Sequence, residues 1–205
     1  MPGTAIRSFD TPGAVPRGLH RDGRYLWHTD NGTDRIYQID PATGTVIRLL
    51  TSPDATPLGI TCDCRSLWLA GQTGKKVYQI DPATGTTIRS FAAAVQAPFA
   101  LAWDGRTLWQ TDQGSTLIYQ IDPATGTTIR SFAGPAAAPF GITWDGGRLW
   151  ISDAGADRIY LVDPATGTVI TSFAGPGGGL YDIAHDGRTL WAACDTIHKI
   201  YQINL

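Results

Sequence analysis

"YQIDPATGTTIRSFA" occupies Tyr78–Ala92, and the same fifteen residues return at Tyr119–Ala133, 41 positions later. The step holds along the whole chain. The Trp of an "LW" pair falls at Trp27, Trp68, Trp109, Trp150 and Trp191. Tyr37, Tyr78, Tyr119, Tyr160 and Tyr201 keep it too, as do Asp40, Asp81, Asp122 and Asp163, with Asn204 in the fifth place. Five units of 41 residues fill all 205 positions without an insertion.

One unit holds four strand patterns. In the third, "ALAW" (Ala100–Trp103) leads through Asp104-Gly105 into "RTLWQT" (Arg106–Thr111). "LIYQID" (Leu117–Asp122) follows, then the "DPATGT" turn and "TIRSF" (Thr128–Phe132). Asp-Gly suits a tight hairpin, because its second residue takes φ > 0. In Asp-Pro-Ala-Thr-Gly, Asp bonds the backbone ahead, Pro presets φ and Gly takes the left-handed place. Four short antiparallel strands per repeat of about 40 residues describe a propeller blade, which buries its faces only against neighbours. Gly3, Ile6, Arg7 and Phe9 stand in register with outer-strand residues, whereas the last unit stops at "YQINL" after its third strand. The expectation is an all-β, five-bladed β-propeller forming a single domain over 1–205. Thr4–Phe9 would supply the outer strand of the last blade and Leu180–Leu205 its other three, leaving no open edge in the ring.

Composition agrees. The chain has 18 acidic residues, all Asp, with 24 Gly and 13 Pro, a turn-rich and helix-poor mixture. Net charge of -2 gives no electrostatic footprint for nucleic acid or an anionic membrane. No apolar run reaches the roughly 18–20 residues of a membrane span, and "MPGTAIRSFD" lacks the apolar core of an export signal. A soluble monomer is expected. Cys62, Cys64 and Cys194 are too few and too scattered for a disulfide framework.

"GITWDGGRLWISDAGADRIYLVDPATGTVITSF" (Gly141–Phe173) resembles the blades of bacterial propeller families. These are the YVTN and NHL repeat proteins and the streptogramin-lyase-like and glutamine-cyclotransferase-like proteins. The resemblance spans the chain and implies the fold; its shared letters are those that build blades. Glutamine cyclotransferases depend, as a family, on a glutamate, and streptogramin lyases are larger rings using metal with His and Glu. This chain contains no Glu.

The Asp-Gly and "DPATG" turns share one face and barely vary between units. The loops of the opposite face diverge, so a site is expected there, at the channel mouth. By register, its ring consists of Arg17, Leu58, Phe99, Phe140 and Tyr181. The next position reads Gly18, Gly59, Ala100, Gly141 and Asp182. Such a floor suits a small ligand, and packing between blades is the plainer role. His28 stands where other units have Leu69, Gln110, Ile151 and Ala192. With Arg17, Asp30, Tyr181, Asp182 and Cys194 it could converge where the last blade meets the first.

Asp30, Gly71, Asp112, Asp153 and Cys194 end the second strands, and each Asp is expected to bond its own Gly-containing loop rather than a metal. Cys64 takes a Gly place in its hairpin, which predicts a positive φ. No catalytic set, metal site or cofactor is expected. The expected function is a non-catalytic scaffold for ligand or protein binding, amplified or built from one blade. Its partner would be a small molecule, glycan or peptide at the mouth, not nucleic acid or membrane. The alternative is an enzyme of streptogramin-lyase-like or glutamine-cyclotransferase-like type with one site at that mouth.

Overall fold

A computed structural model describes residues 1–93 and 95–205. Its described residues hold twenty strands in five antiparallel four-stranded sheets. The third blade runs Pro98–Trp103, Leu108–Asp112, Leu117–Ile121 and Thr128–Ala133, within a few residues of the sequence expectation. The first strands of the five blades pack against one another in ring order and line the axis. Closure follows the expected 3+1 pattern. Ala5–Asp10 pairs antiparallel with Lys199–Asn204, matching Ser8 to Tyr201 and Asp10 to Lys199.

Local chemistry sets the turns. In the third blade Gly126 N donates to Asp122 O at 2.8 Å, and Asp122 Oδ1 accepts from Ala124 N at 2.8 Å. Gly126 has φ +77°, and a Cβ there would lie 2.5 Å from the Phe91 ring of the preceding blade. Gly85, its counterpart, has the same φ. The "DPATG" turn therefore needs glycine for conformation and for the approach of its neighbour.

The core lies in the seams between blades. Each repeated Trp leaves its own second strand and packs on the next blade: Trp109 is 1% exposed among Phe140, Ile142, Leu149 and Ile151. Its indole N–H donates to Asp104 of its own Asp-Gly turn at 2.9 Å, so the hairpin that reverses the chain also aims the ring. The repeated Trp thus serves packing between sheets.

Candidate functional site

Each first strand carries a bulge near its start, between Pro98 and Leu101 in the third blade and at the equivalent place in the others. A bulge turns a residue out of the pleat, and here it turns one side chain per blade toward the axis. The expected ring forms. Phe99 and Phe140 stack with centroids 4.5 Å apart, and Tyr181 lies 5.1 Å from Phe140 and 5.8 Å from Phe99. Leu58 joins the same buried cluster. Arg17 lays its guanidinium over Tyr181 at 4.2 Å and pairs with Asp195 at 2.9 Å. The mouth is thus a filled floor, with Arg17 and Tyr181 at its wetter side.

The bulge also frees a backbone N–H, and three blades use it. Thr29, Thr111 and Ser152 hydroxyls accept from Gly18 N, Ala100 N and Gly141 N. The same hydroxyls donate to Leu58 O, Phe140 O and Tyr181 O of the following blade. Ala70 and Ala193 stand at this position in the second and fifth blades. On the second strands of the blades that follow these two stand Gln110 and His28, both fully buried.

Asp182 and His28 do not face each other. Asp182 is 1% exposed at the axis, accepting from Leu19 N at 2.9 Å, Ile183 N at 2.9 Å and Ile142 N at 3.3 Å. Burial pushes its carboxyl well above the ordinary range, against the downward pull of those donors. His28 is fully buried behind the first strand, its Nδ1 bonded to Gly18 O at 2.9 Å and its Nε2 without a partner among the described residues. Burial lowers its pKa to about 4, so the ring is neutral near pH 7. Of the six seam residues, the structure joins Arg17 to Tyr181, while Asp182 and His28 share one backbone segment. Asp30 and Cys194, both buried, end the second strands of the first and last blades.

Asp30 does bond its own loop, through Thr33 N at 2.9 Å, and also anchors the incoming loop through Val15 N at 2.7 Å. Asp112 and Asp153 repeat both contacts. The second blade exchanges the partners. Gly71 replaces the Asp, and Asp54 enters from the incoming loop to accept from Thr56 N, Thr73 N and Gly74 N. Register exposes this exchange, since Asp54 stands where the first unit has Gly13. Cys64 has φ +71°, and burial raises the Cys62 thiol to about 12.

Clefts open on the opposite, turn-bearing face, which the uniformity of its turns did not suggest. One of about 400 Å³ opens between the first and second blades beside Tyr25, Trp27, Arg48 and Cys62. Another, of about 590 Å³, lies against Arg106 and Asp122.

The fold is shared with solved propellers. A glutaminyl cyclase from Myxococcus xanthus superposes with TM-score 0.80 at 14% identity, covering 98% of this chain and 95% of that one. A virginiamycin B lyase from Staphylococcus aureus, solved with quinupristin, gives 0.62 at 21% identity over 96% and 83%. A chain of a nidogen/laminin complex gives 0.67 at 20% identity over 89% and 73%. No protein-family model and no curated protein matches the sequence. The chain is therefore a five-bladed β-propeller that resembles glutaminyl cyclase and streptogramin B lyase in architecture.

Proposed function

We propose that the protein is a non-catalytic propeller scaffold that binds a small molecule, glycan or peptide at the channel mouth. The observation that carries this reading is the use made of the two groups best suited to proton transfer. Asp182 spends its carboxylate on three backbone N–H groups, and His28 spends Nδ1 on Gly18 O. Acid–base catalysis needs such groups within reach of a substrate proton. The side chains left facing the mouth are Arg17 and Tyr181, over a packed floor of Phe99 and Phe140. A rigid aromatic floor with a few polar groups at its rim is the composition of a recognition surface. The enzymes of similar fold bear on architecture alone.

A thermal-shift panel of small molecules, glycans and peptides tests the reading, since a ligand of the folded state raises its melting temperature. A ligand of the mouth should stabilise the wild-type protein and lose that effect with Tyr181→Ala. A panel in which every stabilising ligand acts equally on Tyr181→Ala would exclude the mouth.

A further inference from the structure

The five blades act as controls for one another on the turn-bearing face. In the second, third and fifth blades a hydrogen-bonded chain seals the outer end of the Trp. In the third, Thr107 Oγ1 donates to Asp104 at 2.6 Å and accepts from Gln120 Nε2 at 2.9 Å. Gln120 Oε1 then accepts from Arg130 Nε at 2.7 Å, and Arg130 reaches Ala165 O of the next blade at 3.0 Å. Arg130 lies over Trp109 at 5.2 Å, as Arg89 and Arg7 lie over Trp68 and Trp191.

The first blade keeps Gln38 and Arg48 but breaks the chain between them and the turn. Tyr25 replaces the Ser or Thr, so its position offers no short hydroxyl to Gln38. Arg48 keeps the contact to the next blade, donating to Pro82 O at 2.8 Å and Ala83 O at 2.9 Å, but among the described residues makes no bond to Gln38. A second change falls on the facing blade. Where Trp103 and Trp144 cover the preceding seam in the third and fourth blades, the second has Cys62. A long ring is absent from one wall and the Arg–Gln contact from the other. The cleft of about 400 Å³ is the result.

Its charge is lopsided. Arg24, Arg48 and Arg65 line it, and among the described residues none of the three pairs with a carboxylate. Asp22, the acid at its edge, is occupied by Arg24 N, Tyr25 N and the Trp27 indole. Guanidinium groups match oxyanions by geometry as well as charge. Three of them around one cleft suit a ligand with more acceptor oxygens than a single carboxylate carries.

We propose that this cleft, on the face opposite the mouth, is a binding site for a small phosphorylated ligand, whose phosphate oxygens are held by Arg24, Arg48 and Arg65.

Calorimetric titration with inorganic pyrophosphate tests it. One equivalent should bind per chain, more weakly as ionic strength rises. Arg65→Gln should weaken binding by at least about tenfold, the scale of a lost charge-assisted hydrogen bond. Cys62→Trp, which installs the residue of two other blades, should abolish it. Tyr25→Thr should rebuild the Gln–Arg chain and weaken binding while keeping the melting temperature, which guards against misfolding of Cys62→Trp. Arg106→Gln in the third blade and Tyr181→Ala at the mouth should leave binding unchanged. Absence of pyrophosphate binding would overturn the proposal, as would binding indifferent to Tyr25→Thr or equally weakened by Arg106→Gln.

Discussion

Asp182 and His28 hold opposite ends of one peptide group. Leu19 N donates to Asp182 Oδ2 at 2.9 Å, and the carbonyl of Gly18, across the same peptide bond, meets His28 Nδ1 at 2.9 Å. The last blade and the second strand of the first thus clamp the innermost strand of the first from two sides. Two residues that interrupt the repeat are joined through the backbone they fix.

Their pH effects have opposite signs. His28 titrates near 6.5 unfolded but about 4 folded, so the unfolded chain takes its proton first as pH falls. Its stabilising contribution is present above pH 6.5 and is lost as pH falls toward 4, by about 3 kcal/mol at full extent. His28→Leu, the residue of the second blade, should flatten urea midpoints measured between pH 4.5 and 7. An unchanged slope would contradict the burial of a neutral imidazole.

Asp182 behaves in the reverse sense. Its folded pKa is raised, so its contribution is greatest below about pH 4 and is lost as pH rises toward the folded value. Asp182→Asn should remove that decline. Asp182→Gly, although glycine serves three other blades, should cost about 1–3 kcal/mol by leaving Leu19 N and Ile183 N without their carboxylate. Equilibrium denaturation of the two variants measures both effects.

Gln110 offers a test of the seams. Both its Nε2 and its Oε1 are buried without partners among the described residues, and in the preceding blade Ala70 replaces the bridging hydroxyl. Gln110→Leu with Ala70→Thr imitates the pattern between the first and second blades, where Thr29 faces a blade carrying Leu69. The pair should stabilise by about 1 kcal/mol or more, and chemical denaturation would show it. A clear loss would mean that Gln110 holds a buried water.

Cys64 is a smaller case. With φ +71° it occupies a conformation that favours glycine, so Cys64→Gly should be neutral or stabilising by up to about 1 kcal/mol in thermal melts. The variant keeps the backbone hydrogen bond from residue 64 N to Cys62 Sγ, so clear destabilisation would contradict strain at Cys64.

The fold was legible because repetition turns one sequence into five aligned observations. The Trp–Asp spacing, the "DPATG" turns and the displaced outer strand all pointed to a closed ring, and Ala5–Asp10 pairs as that argument required. The five residues of the mouth were found by register because the bulge recurs in every blade. That Asp182 and His28 would meet at one seam was expected, but not that they would do so through opposite ends of the Gly18–Leu19 peptide. This depends on which way a side chain leaves its strand, and position 28 faces the neighbouring blade rather than the axis. The turn-face cleft was missed for another reason. Tyr25 and Cys62 are ordinary letters singly, and only their meeting across a seam leaves Arg48 unsealed from Trp27.

The central claim, recognition at the mouth without chemistry, is tested most directly by recovering a mouth ligand after prolonged incubation and measuring its mass. The account predicts an unchanged ligand, retained by the wild-type protein and by the Asp182→Asn/His28→Leu double variant, and lost from Tyr181→Ala. A product formed by the wild-type protein and absent with the double variant would contradict it.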